Sequence, residues 1–102
     1  MIIIKELAER IEDELEGAAD YAELAGKYKG HHDPLSAMYA EIAQQEMTHV
    51  DKLHTMAVGI IAKWREQNGA PPRQMERIWE KEHKALMKRA AEVRALIDQV
   101  RK

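Results

Sequence analysis

The chain has 102 residues, of which 45% are hydrophobic and 33% are charged, with 5 Gly, 3 Pro and no Phe. This composition is too apolar for a disordered chain and favours an all-α fold, organised as a single domain over residues 1–102. The absence of Cys excludes disulfides, thiolate metal sites and cysteine nucleophiles. A chain of this length buries only a modest core, which assembly with a second copy would enlarge.

The net charge is −2, but residues 1–72 hold 7 basic and 13 acidic groups, whereas residues 73–102 hold 9 basic and 5 acidic groups. The acidic larger part argues against nucleic acid as a partner. We interpret the basic segment as a solvated helix face or one that docks on acidic surface, with phosphate binding as the alternative. Lys5 and Glu6 directly follow the apolar first residues, so no signal peptide or membrane span is predicted, and we expect a cytoplasmic protein.

The first predicted helix covers residues 5–29 and ends at Gly30, which has the position of a C-terminal glycine cap. Apolar residues recur along it at spacings of four and three, as in the seam of a helical bundle. One member of this stripe is a carboxylate, Glu14. The stripe consists of Leu7, Ile11, Glu14, Ala18, Tyr21, Ala25 and Tyr28.

The second predicted helix covers residues 34–67, with Asp33 as its N-cap and Pro34 at its first position. Its stripe contains two polar members, Glu46 and His49, and reads Leu35, Tyr39, Ile42, Glu46, His49, Leu53, Met56, Ile60 and Trp64. A short turn folds the two helices into a long antiparallel hairpin. Glu14 lies 16 residues before Gly30, and Glu46 and His49 lie 12 and 15 residues after Pro34, so the three are expected at similar depth.

The third predicted helix covers residues 74–100, after the loop at residues 68–72 that contains Pro71 and Pro72. Glu80-x-x-His83 repeats the spacing of Glu46 and His49 here, but only His83 falls on the apolar stripe. This pair therefore ranks below the first as metal ligands. The remaining histidines, His31, His32 and His54, are predicted to be exposed or to border the core.

Glu46 and His49 are three residues apart, a spacing that lets both side chains reach one metal ion from the same helix face. A carboxylate at a seam position is costly unless a cation or a hydrogen-bond donor meets it. Oxygen and nitrogen donors without sulfur suit iron, manganese or zinc, and bridging carboxylates favour iron or manganese. The alternative is a metal-free polar cluster in a helical interaction or scaffold protein.

Asp13-Glu14-Leu15-Glu16 and Tyr21 on the first helix, followed by Glu46-x-x-His49 on the second, resemble the half-site of the ferritin-like superfamily. The resemblance extends to rubrerythrins and particularly to the short encapsulated ferritins, and it covers about residues 5–67. It implies a four-helix bundle completed by dimerisation of two hairpins. It further implies a di-iron site between subunits of a homodimer or higher homo-oligomer, and a ferroxidase-type oxidoreductase or another role in handling iron.

By this resemblance Glu14, Glu46 and His49 are the metal ligands, with no catalytic group beyond them. Tyr21 would lie beside the site, and Asp13 and Glu16 would guide or bind ions near it. The competing interpretations are a packing role for Tyr21 and simple solvation for Asp13 and Glu16. The chain ends at residues 99–102 without a recognisable shell-targeting tail, which puts encapsulation in a shell in doubt.

Overall fold

The computed structural model describes residues 2–102, which form three α-helices and no strand. Helix α1 spans Ile2–Tyr28, α2 spans Asp33–Asn68 and α3 spans Arg73–Arg101. α1 and α2 form an antiparallel hairpin, and α3 runs back along it to give a rod of 55 × 19 × 18 Å. The predicted all-α fold is confirmed, and every predicted helix end lies within three residues of the observed one. The largest difference is at α1, which begins before Lys5.

The turn between α1 and α2 depends on a glycine and a histidine. Gly30 has a φ of 82°, which glycine adopts without strain, and its N–H donates to Asp33 Oδ1 at 2.8 Å. His32 caps α2, because its Nδ1 accepts a hydrogen bond from the Leu35 N–H at 3.2 Å. The prediction of Asp33 as the N-cap is therefore wrong. Asp33 is the first residue of α2, and its carboxylate is used to close the turn onto Gly30.

The core is rich in alanine and lies between the turn and the middle of the rod. Small side chains allow α1 and α2 to approach closely, and the hydroxyl of Ser36 on α2 donates to the Ala25 carbonyl oxygen on α1 at 2.7 Å. The buried residues are Ile11, Leu15, Ala18, Ala19, Ala22 and Ala25 on α1, Ser36, Ala40, Ala43, Met47 and Val50 on α2, and Ala90, Val93 and Ile97 on α3.

The buried face of α2 is turned by about one residue, or about 100°, from the predicted seam. All predicted seam positions on α2 are half-buried or exposed, whereas their neighbours Ala43, Met47 and Val50 are buried. The cause is α3, which packs against both helices of the hairpin. Arg94 of α3 donates to Asp51 at 2.5 Å, and Asp51 lies about 140° around α2 from Glu46. The core is therefore shared among three helices, and the expectation that Glu14, Glu46 and His49 face fully inward is corrected: they lie along its edge.

The end of the rod far from the hairpin turn is packed more loosely. Among the described residues between Val50 and Ala90, only Pro71 is buried. The helices meet there through Trp64 and Trp79, whose rings lie edge to face with centroids 6.2 Å apart. A cavity of about 360 Å³ remains, lined by residues of all three helices.

Candidate metal centre

Glu14, Glu46 and His49 come together in the structure. One ligand atom from each lies within 4.8 Å of the others, and among the described residues this is the one group of three or more His, Asp or Glu side chains with that property. His49 Nδ1 lies 3.3 Å from Glu14 Oε2, so the cluster joins α1 to α2. The side chains are accessible, with 52% of His49 and 29% of Glu14 exposed. An ion could therefore reach them from solvent.

Packing beneath the cluster fixes the backbone positions from which these three side chains project. Leu15 on α1 and Met47 and Val50 on α2 are buried, and they directly follow Glu14, Glu46 and His49 in sequence. These neighbours hold the two helix backbones in one register. The carboxylates and the imidazole then project outward from a rigid base, although the side chains themselves have room to change rotamer.

Gly17, one turn after Glu14, makes room for the Glu46 carboxylate. A Cβ at position 17 would lie only 3.2 Å from Glu46 Oε2 and 3.7 Å from its Cδ. Any other residue would displace the carboxylate by a few tenths of an ångström. A glycine inside a helix weakens that helix, and a close approach of another group is the usual compensation.

The pKa values of the two carboxylates are shifted in opposite directions. The pKa of Glu46 is raised, mainly because Glu46 donates a hydrogen bond to Glu14 and further because of desolvation and the nearby negative charge. The pKa of Glu14 is lowered, mainly because it accepts that hydrogen bond, with desolvation opposing the shift and His49 assisting it. A cation bound to these carboxylates would compete with protons for their oxygens.

The donor set fits an oxygen- and nitrogen-preferring metal. It offers up to four carboxylate oxygens and one imidazole nitrogen, with no sulfur. Gly17 provides the space that a mobile Glu46 carboxylate needs, and exposure leaves coordination positions open to other ligands. The assignment of these residues as ligands of iron, manganese or zinc stays a prediction.

The residues predicted to surround the centre have ordinary surroundings of their own. Tyr21 is half-buried and its ring stacks on Tyr39 with centroids 6.0 Å apart. Asp13 is exposed and pairs with Arg10 at 3.5 Å, and Glu16 is exposed. These positions are compatible with packing and solvation, and a role in guiding ions stays a prediction.

Glu80 and His83, the lower-ranked ligands, lie away from this cluster. Both are exposed residues of α3 and both line the cavity at the loose end of the rod. His83 instead meets His54 of α2, with the two Nε2 atoms 3.1 Å apart. Because Glu80 and His83 belong to another region, they do not complete the first cluster within one chain.

Two features escaped prediction from the sequence. Gly17 was detectable as a glycine inside a helical pattern, one turn from a predicted ligand. Antiparallel depth indicated the pairing of His54 with His83 only approximately, because His54 lies 14 residues before the end of α2 and His83 lies 10 residues after the start of α3. Similar depth alone, however, does not fix which helix faces meet.

No protein-family model, curated protein or solved structure matches the chain. Among the described helices, none combines the length and the apolar character needed to cross a membrane. Functional inference consequently rests on the residues and geometry of the clusters themselves.

Proposed function

We propose that the chain is a ferritin-like metal-binding protein in which two hairpins pair about a two-fold axis to complete a four-helix bundle with a shared di-iron carboxylate site. The observation that carries the proposal is the convergence of Glu14, Glu46 and His49 on an accessible edge. Di-iron bundle sites use a Glu from each of two helices and a Glu-x-x-His motif from each of the other two. One chain supplies half of that set, and a symmetric pair supplies all of it.

The surface around the cluster supports this pairing. The hairpin edge carries half-buried apolar and aromatic side chains on both helices. The rings of Tyr21 and Tyr28 stack on Tyr39 with centroids 6.0 and 6.1 Å apart, which stiffens this edge. A second copy would bury the strip and add to a core that is small for a single chain. The strip consists of Tyr21, Leu24, Tyr28, Leu35, Tyr39, Ile42, Leu53 and Ile60.

Ferrous iron is the proposed substrate of this site. Two ferrous ions would each lose one electron, and dioxygen would take up both electrons and two protons to form hydrogen peroxide; peroxide as oxidant would give water. Glu14 and Glu46 would both offer negative charge to the cations, and because the pKa of Glu46 is raised, iron would compete with a proton for that carboxylate. His49 supplies a neutral nitrogen, and manganese or zinc would fit the same donors.

Iron binding by matched variants tests the proposal. The full chain is incubated anaerobically with ferrous iron, its metal content is measured by mass spectrometry, and near-ultraviolet absorbance is followed as air is admitted. We expect about one iron per chain and a rapid rise in ferric absorbance, both lost in Glu46→Ala. Glu41→Ala is the control, because Glu41 is an exposed residue of the same helix. Iron retained by Glu46→Ala, with unchanged helix content, would refute the assignment.

A metal-free helical interaction module is the second candidate. The observation in its favour is that Glu14 already has a partner in His49, whose Nδ1 lies 3.3 Å from Glu14 Oε2. Treatment with a chelator separates the two candidates. A metal-bridged pair should dissociate or melt at a lower temperature after metal removal, whereas the metal-free module should keep its oligomeric state and melting temperature.

A further inference from the structure

His54 and His83 form a second cluster, separate from Glu14, Glu46 and His49. Their Nε2 atoms are 3.1 Å apart, while the ring centroids are 5.2 Å apart and the ring planes differ by only 9°. Because the nitrogens are much closer than the centroids, the rings meet edge to edge at nitrogen instead of stacking face to face. One Nε2–H donates to the other Nε2, which requires that one ring be unprotonated at that atom.

This contact is placed at the mouth of the cavity between the helices. Both histidines line the cavity of about 360 Å³, together with apolar side chains and the carboxylates of Glu80 and Glu82. Arg65 also lines it, but its guanidinium is paired with Glu76 at 2.6 Å. The lining of the cavity therefore combines two imidazoles and two carboxylates with an apolar surface.

We propose that His54 and His83 bind a divalent transition-metal ion of the zinc type. Imidazole nitrogens bind zinc at about 2.0–2.1 Å, so two nitrogens on one ion lie roughly 3 Å apart. The observed separation of 3.1 Å already has this value. Glu80 and Glu82 add negative charge at the same opening, and water completes the coordination.

Binding requires only a small rearrangement. The ring that donates in the metal-free pair moves its proton from Nε2 to Nδ1, which leaves a lone pair on both Nε2 atoms. Each ring then turns about its soft terminal torsion so that the two lone pairs converge on one point. His83 is exposed and His54 is half-buried, so this rotation does not disturb the core.

The ion would act as a clip between α2 and α3. Among the described residues, the segments that carry the two histidines contain no buried apolar side chain from position 51 to position 89, apart from Pro71 in the loop. A bond through metal would fasten α3 where side-chain packing holds it least. Metal binding that requires the folded arrangement of two helices raises stability by linkage.

Zinc titration of the full chain tests this site. Glu46→Ala is used as the background, so that zinc bound by Glu14, Glu46 and His49 does not contribute. Failure of the proposed iron site then cannot be mistaken for failure of the His54–His83 site. Calorimetry should give about one zinc per chain for this background. Removal of a group that only hydrogen-bonds to a metal ligand typically lowers metal affinity by roughly 10- to 100-fold. Adding His54→Asn or His83→Asn removes a proposed ligand itself, so the loss of zinc affinity should be larger than this.

His31→Asn in the same background is the matched control, since His31 is an exposed histidine in the turn. Zinc should raise the melting temperature of the background and of the His31→Asn control by about 10 °C at roughly a hundredfold excess over its dissociation constant. Neither the His54→Asn nor the His83→Asn variant should respond. Unchanged zinc affinity in both of these variants, or an equal loss in the control, would overturn the proposal.

Discussion

The two ends of the rod differ in packing, although the same three helices build both. Near the hairpin turn the core contains buried alanines and large side chains such as Leu15, Met47 and Ile97, each 1% exposed. At the far end the helices meet through Trp64, Trp79 and the His54–His83 contact around a cavity of about 360 Å³. Polar groups at the first end therefore stand on a rigid base, whereas at the second end the His54–His83 contact joins α2 to α3 beside the two tryptophans.

This difference gives the two clusters different expected behaviour. Glu14, Glu46 and His49 are held by packing beneath them, so removing one should alter ion binding with little effect on folding. His54 and His83 hold helices together where the core is thin, so occupation of that site should alter stability. The predictions below test each half of the comparison, from the largest expected effect to the smallest.

Truncation of core leucines should show the largest contrast. Leu15→Ala removes a fully buried side chain from the tightly packed end near the hairpin turn, called the tight end below. This change should lower the free energy of unfolding by about 3 kcal/mol. Leu86→Ala removes a half-buried side chain that borders the cavity and should cost about 1 kcal/mol. Urea unfolding at one protein concentration, in chelator, measures both. Equal costs would contradict the difference in packing.

Enlarging an alanine should act in opposite directions at the two ends. Ala43→Leu introduces volume into a contact that is 0% exposed and should destabilise the protein by about 1–3 kcal/mol. Ala57→Leu points its added volume toward the cavity and should be neutral or stabilise by up to about 1 kcal/mol. Thermal melts of the paired variants measure the difference. A loss of stability in Ala57→Leu as large as in Ala43→Leu would mean that the loose end is as tightly packed as the tight end.

Gly17→Ala should separate stability from metal binding at the tight end. Alanine favours the helix by up to about 1 kcal/mol over glycine, so the melting temperature should rise. The added Cβ would lie 3.2 Å from Glu46 Oε2 and push this carboxylate aside, so we expect iron affinity to fall by about tenfold. Gly59→Ala is the control, because nothing lies within 4 Å of a Cβ at that position. Unchanged iron binding in Gly17→Ala would remove Glu46 from the site.

Glu46→Gln should change how the stability of metal-free protein depends on pH. Because the pKa of Glu46 is raised, its stabilising effect is complete below its unfolded pKa and is lost as pH rises through the folded pKa. The pKa of Glu14 is lowered, so its effect is lost as pH falls through its folded pKa. Wild type should therefore gain stability on mild acidification relative to Glu46→Gln, which keeps a hydrogen-bond donor but does not titrate.

This gain should be under about 1 kcal/mol, because both carboxylates are partly exposed and water screens them. Urea unfolding between neutral and mildly acidic pH, in chelator, measures it as the difference between the two proteins. Titrating groups distant from Glu46 cancel in that difference, whereas Glu14 does not, because its pKa depends on Glu46. Identical pH profiles would show that the pKa of Glu46 is not raised in the folded protein.

The sequence was sufficient to predict the three α-helices and the convergence of Glu14, Glu46 and His49. Gly30, the two prolines after Gly69 and the helical spacing of apolar residues locate the helices to within three residues. Depth along an antiparallel hairpin brings Glu14 opposite Glu46 and His49. The predicted burial of these three residues was wrong, because the prediction considered only the seam between α1 and α2. In the structure α3 packs on the hairpin too, and the buried face of α2 is rotated by about 100° from the predicted seam.

Details that depend on side chains from separate helices were beyond the sequence. His32 replaces Asp33 as the cap because Asp33 is used by Gly30, a choice between two suitable neighbours. The meeting of His54 with His83 depends on the rotation of α3 about its own axis, which helical spacing does not determine. The space over Gly17 likewise depends on how closely α1 and α2 approach.

Native mass spectrometry of the full chain, loaded anaerobically with ferrous iron, tests the central claim most directly. We predict a dimer that carries two iron ions, with both the iron and the dimer reduced in Glu46→Ala but not in Glu41→Ala. A monomer that binds iron by itself, or an assembly that holds no iron and is the same before and after chelation, would contradict a metal site shared between two copies.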